Sequence, residues 1–171
     1  SAASDVYKRQ LTRYDIFSPD FIDKLEQSRM KYNVPSKHIR IEITESAALG
    51  NSQFINEAVR KLHSYGYIVE MDDFGSGYSS LSSLNVMHFD TIKLDKSLID
   101  YIGDRNGEKL LLHITQLLQS FGMTITAEGV ETSDQVEFLK NLHCDDIQGY
   151  YFSKPLPVNE FEDFVRKHTG L

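Results

Sequence analysis

The chain has 171 residues, 40% hydrophobic and 25% charged, with a formal charge of −7, enough for one domain with a substantial core and too acidic for a general nucleic-acid surface. No apolar run approaches the roughly 18 residues that span a bilayer, and Ser1 to Gln10 carries no signal-peptide core. A single cysteine, Cys144, excludes an intrachain disulfide and fits a reducing cytoplasm.

In chain order, Ser18-Pro19 opens a first helix through Phe21, Ile22 and Leu25. His38–Thr44 reads as a strand. Asn51 to Tyr65 carries Ile55, Ala58, Val59 and Leu62 on one helical stripe, with Gly66 as its stop. Strands follow at Tyr67–Asp72 and Thr91–Asp95. Glu108 to Phe121 puts Leu110, Ile114, Leu117, Leu118 and Phe121 on a second stripe, ending at Gly122. Met123–Glu128 is the next strand. Thr132 and Gln135 then form a capping-box pattern ahead of Val136, Leu139 and Leu142. Asp146–Tyr151 is the last strand, and Asn159 is expected to cap a final helix bearing Phe161, Phe164 and Val165. Strand and helix alternating with short connections imply parallel strands and right-handed crossovers.

Side-chain parity in those strands is informative, because alternate residues face opposite sides. Ile41 and Ile43 oppose Glu42 and Thr44; Val69 and Met71 oppose Glu70 and Asp72; Ile92 and Leu94 oppose Thr91, Lys93 and Asp95. Ile125 and Ala127 oppose Thr124, Thr126 and Glu128, and Ile147 and Gly149 oppose Asp146 and Gln148. A doubly wound sheet covered on both sides would want two apolar faces. One apolar and one polar face fit the lumen of an α/β, TIM-like (β/α) barrel, whose working groups sit at the C-terminal strand ends. Glu42, Asp72, Lys93, Glu128 and Gln148 fall there.

The run Met71-Asp72-Asp73-Phe74-Gly75-Ser76-Gly77 sets two carboxylates side by side before a glycine-hinged turn. Their repulsion would be relieved by a divalent cation or a basic group; a solvated turn or a helix N-cap would leave the same trace. The histidines never fall closer than 25 residues apart, and no Cys-x-x-Cys, Gly-x-Ser-x-Gly or Walker loop occurs. Acids must therefore carry any chemistry. Hard oxygen ligands suit Mg²⁺ or Mn²⁺, and two such cations about 4 Å apart can drive an in-line phosphoryl displacement. Lys93 would act as a point charge on a phosphoryl oxygen or the attacking water, with Glu128 as general base. The bland alternative is a polar core closed by lysine–carboxylate pairs without catalysis.

Five segments occur in order: Glu42-Ile43-Thr44-Glu45, Asp72 to Ser80, Lys93-Leu94-Asp95, Glu128-Gly129-Val130-Glu131, and Gln148-Gly149-Tyr150-Tyr151-Phe152-Ser153-Lys154-Pro155. Together they resemble the EAL domain, a bacterial phosphodiesterase that linearises the second messenger cyclic di-GMP, from about Leu11 to the C-terminus. The resemblance implies Glu42, Asp72 and Asp73 as metal ligands, Lys93 beside the attacking water, and Glu128 as base. It implies supporting or substrate-binding roles for Gln148, Glu131, Asp95 and Tyr150. Glu45 matches a residue anchoring the loop after the Asp pair, a loop that also shapes a homodimer contact. Packing or turn roles stand beside these for Glu45, Tyr78 and Tyr150.

A complete barrel of this class is longer, roughly 250 residues, so about five of eight strands are expected here. No Glu-Ala-Leu tripeptide occurs, and Gln10 in Gln10-Leu11-Thr12 stands where the family places an asparagine ligand. Residues 1–10 do not read like the family and are expected to be a non-native or disordered segment, with residues 11–171 a shortened domain that is inactive by itself. A non-catalytic cyclic di-GMP receptor and a dimerisation module are the alternatives.

Overall fold

A computed structural model describes residues 18, 20–49, 52–77 and 88–169. Within them β1 (Arg40–Thr44), β2 (Ile68–Phe74), β3 (Thr91–Leu94), β4 (Thr124–Ala127) and β5 (Asp146–Ile147) form one sheet in sequence order. Every neighbouring pair is parallel. The helices are α1 (Phe21–Lys31), α2 (Glu45–Leu49), α3 (Ser52–Ser64), α4 (Lys96–Ile99), α5 (Arg105–Ser120), α6 (Ser133–Asn141) and α7 (Val158–Thr169). This is the strand–helix alternation of a (β/α) barrel wall.

The register bears out the parity. Ile43 pairs with Met71, Met71 with Ile92 and Ile92 with Ile125, a row with almost no exposure. Each such side chain stabilises the fold by about 1.5–3 kcal/mol relative to an exposed position. Val59 and Leu62 of α3, Leu111 and Leu118 of α5, and Leu139 of α6 join the same core. On the other face Glu42 pairs with Glu70, Glu70 with Thr91, and Lys93 with Thr126. That face is not a solvated surface: Glu70, Asp72, Thr91, Lys93 and Thr126 are all buried. A polar interior of this kind is what a barrel lumen provides. Toward the N-terminal strand ends Arg40 Nη1 meets Glu70 Oε1 at 2.6 Å.

Two aspartates extend the ladder with their side chains. Asp90 gives its N–H to Val69 O while its Oδ2 accepts the Val69 N–H at 2.8 Å. Asp145 repeats the arrangement on Ile125, also at 2.8 Å. Each satisfies a strand-entry backbone pair that would otherwise be left to water.

Several sequence expectations are corrected in detail. Ser36–His38 is a 3-10 turn, so the first strand begins at Arg40 instead of His38. The third strand ends at Leu94, since Asp95 caps α4 by accepting the Ser97 N–H. The last strand ends at Ile147, because Gly149 is pressed onto Val130 and the chain turns through Tyr150 and Tyr151. In α5 the buried stripe is Gly107, Leu111, Thr115 and Leu118; Leu110 and Phe121 are nearly half exposed. Tyr101 packs where a Gly107 side chain would be, which fixes that rotation. Asn159 lies inside the first turn of α7 and does not cap it; Pro157 O accepts the Phe161 N–H. The capping box at Thr132 and Gln135 is present as expected. Gln10, Asn51 and the loop from Tyr78 to Met87 lie outside the described residues.

Candidate functional site

The C-terminal ends of β1 to β4 converge on one ammonium. Lys93 Nζ lies 2.8 Å from Glu42 Oε1, 2.9 Å from Asp72 Oδ1 and 2.6 Å from Glu128 Oε1. The lysine is 3% exposed. Burial works to lower its pKa, but the hydrogen bonds it donates to Glu128, Glu42 and Asp72 outweigh it and the net shift is upward. Lys93 is therefore a fixed cation. Gln148 Nε2 donates to the same Glu128 Oε1 from the end of β5.

Asp73 joins through a backbone irregularity. Strict alternation would send it to the face opposite Asp72. Between Met71 and Phe74 the β2–β3 register slips, and Asp73 adopts φ 59. This is a β-bulge with its extra residue in the left-handed region, which aspartate tolerates better than most side chains. One carboxylate oxygen each from Asp72, Asp73 and Glu128 then lies within 4.8 Å of the others. With Glu42 beside them, acid exceeds the single ammonium, and the donors are all hard oxygens. That set fits a divalent cation of the Mg²⁺, Mn²⁺ or Ca²⁺ kind.

The outer residues place as follows. Glu45 begins α2, is 4% exposed, and accepts the Gly75 N–H on Oε2 at 3.0 Å; among the described residues its Oε1 has no hydrogen-bond partner. It thus ties down the start of the loop after the Asp pair, whose residues from Tyr78 on are outside the described set. Asp95 caps α4, its Oδ1 accepting the Ser97 N–H, and is not among the acids bound to Lys93. Glu131 is exposed and pairs with Lys96 at 3.0 Å. Tyr150 is 59% exposed, with Lys154 Nζ 5.6 Å from its ring centre.

Two residues outside the expected site set, Gly149 and Lys96, help to build this rim. Gly149 lets the β5 turn press on Val130, where a Cβ would stand 2.1 Å from Val130 O. Its signal was a glycine directly after a strand-end glutamine. Lys96 lies along the Glu128-bearing turn; only its spacing from Lys93 could have flagged it. Among the described residues no helix is long and apolar enough to cross a membrane.

The sequence profile of the EAL domain matches residues 10–155. The oxygen sensor protein DosP of Escherichia coli is 39% identical over 135 residues, 78% of this chain and 17% of that protein. The cyclic di-GMP phosphodiesterase NbdA of Pseudomonas aeruginosa is 32% identical over 148 residues, 86% of this chain and 19% of that protein. The chain thus spans about a fifth of the length of these curated relatives. Among solved structures, the EAL domain of Mycobacterium smegmatis DcpA superposes with a TM-score of 0.85 at 28% identity, covering 92% of this chain and 71% of that one. The PaMucR phosphodiesterase in complex with c-di-GMP gives 0.83 at 28% identity, covering 89% and 62%.

Proposed function

The chain belongs to the EAL domain family, and from that premise we propose that the protein it comes from hydrolyses cyclic di-GMP to the linear dinucleotide. The observation that supports this most is one lysine bound by three acids from three separate strands, with Asp73 bulged into the same rim. A purely structural polar core gains nothing from an adjacent acid pair beside a third carboxylate. Asp72, Asp73 and Glu42 are the candidate holders of magnesium or manganese, which when bound supplies Lewis-acid polarisation of the phosphoryl group and a water that ionises near neutral pH.

The chain's own groups divide the remaining work. Lys93 presents a fixed positive charge to a non-bridging oxygen or to the attacking water. Glu128 takes the proton from that water, oriented by Gln148 and Lys93, which both donate to its Oε1. Tyr150 with Lys154 offers an exposed ring and a cation to a planar base. Glu131 lines the approach, and Asp95 serves indirectly by fixing the start of α4. Glu45 holds the loop after Asp73, through which a homodimer forms. Further strands of the family barrel complete the metal site.

The experiment is hydrolysis of cyclic di-GMP by the product of the whole gene. Magnesium- or manganese-dependent turnover that Glu128→Ala abolishes supports the proposal. Tight binding without turnover makes the protein a receptor, and neither binding nor turnover leaves an interaction module. Light scattering on the same sample reports whether it is a dimer.

A further inference from the structure

Glu128 stands one residue beyond β4, where its N–H still reaches Leu94 O at 3.0 Å. Past it the chain reverses at Gly129, with φ 70. On the β5 flank this turn is held by backbone: Val130 donates to Gln148 O, and Tyr151 donates to Val130 O. On the β3 flank the contact is a side chain. Lys96 lays its stem against Gly129, where an added Cβ would fall 2.7 Å from Lys96 Cβ and 2.8 Å from Cγ. Its ammonium then reaches Glu131 at 3.0 Å and Asp100 at 3.1 Å.

We propose that Lys96 is a positioning residue for Glu128, bracing the turn through its methylene stem at Gly129. The inference rests on Glu128 belonging to the acid site. Lys96 sits three residues from Lys93, on the helix that Asp95 caps, so its base is fixed to the same strand end as the central ammonium. The turn is thereby clamped between β3 and β5. The ion pair is well exposed on both sides, and such pairs contribute little by charge alone. The stem and its placement therefore carry the effect, and a side chain of similar length without charge should preserve it.

The whole-gene protein is compared as wild type, Lys96→Met and Lys96→Ala, all checked for folding by circular dichroism. Loss of the brace displaces the carboxylate by a fraction of an ångström to an ångström, so Lys96→Ala should lower kcat by roughly ten- to a hundredfold with KM nearly unchanged. Lys96→Met should stay within about threefold of wild type, given that the exposed charge contributes little. Because the Glu128 carboxylate lies in the same oxygen cluster as Asp72 and Asp73, Mn²⁺ binding followed by electron paramagnetic resonance is the second readout, weakened in Lys96→Ala and retained in Lys96→Met. Equal behaviour of Lys96→Ala and wild type in both readouts overturns the proposal. So does a rise in KM shared by both variants, which would make Lys96 a ligand contact. If the wild type binds Mn²⁺ but does not cut cyclic di-GMP, the phosphodiesterase reading fails while the metal readout still decides for or against Lys96. A wild type that binds no Mn²⁺ sinks both.

Discussion

A buried ammonium shared by Glu42, Asp72 and Glu128 makes Lys93 the residue whose loss is felt most. Lys93→Met removes a cation from an acid-rich interior and should cost about 3–5 kcal/mol of stability, the range for breaking a buried pair. Urea unfolding measures it, and divalent ions should shrink the deficit by neutralising the same carboxylates. Two other groups, Cys144 half-buried and Tyr67 buried, titrate on the alkaline side. Burial, with a smaller push from Asp145, moves the Cys144 thiol from 9.0 up to about 11. Burial and the bond to Glu26 move Tyr67 from 10.0 up to about 12. In both, the folded chain keeps its proton where the unfolded chain releases it. Their stabilisation is therefore whole below about pH 9 and is lost from there up to about 12. Stability measured against pH should fall across that window, and Tyr67→Phe should flatten its upper part.

At the scale of elements, the rim depends on turns that fit closely. Gly149→Ala would drive a Cβ into the Val130 backbone, which cannot yield as a flexible side chain can. The expected result is a loss of about 1–3 kcal/mol and separation of Gln148 from Glu128, read by denaturation and by a fall in activity. Thr132→Ala opens the capping box of α6 and should cost about 1 kcal/mol. That cap was legible because Thr-x-x-Gln is a local code, with both hydrogen bonds formed inside four residues. The rotation of α5 was not. Of the expected stripe Leu118 is buried and Ile114 packs against the core, while Leu110 and Phe121 face outward; the close approach of Tyr101 to Gly107 has no trace in the helix period. The short helices α2 and α4 escaped because four or five residues carry no period. Asp95 looked like a strand-end acid for the same reason: its capping role appears only once α4 exists.

For the whole molecule, binding of divalent cations should raise thermal stability, by about 2.7 kcal/mol at a hundredfold excess over Kd. Calorimetry with and without chelator measures the gain, and Asp72→Asn with Asp73→Asn should remove it. The sheet was readable at this scale because the strands alternate apolar and polar positions, β2 up to Asp72, and alternation is what a sheet with one enclosed polar face demands. The convergence of Glu42, Asp72, Lys93 and Glu128 follows directly from it. Asp73 did not follow, since parity counts every residue once and has no place for an extra one.

That extra residue has a reach beyond its own carboxylate. After Asp73 the chain resumes its zigzag out of phase, so Phe74 lands beside Leu94 in the oily layer when an uninterrupted count would have pointed it at the acids. Deleting Asp73 would restore the plain zigzag, leaving Phe74 in the oily layer and taking one charged group from the mouth. Two neighbouring acids on one side of a pleat thus have a signature that can be searched for: a large hydrophobe immediately downstream, at the position where the arithmetic of alternation says it should not be.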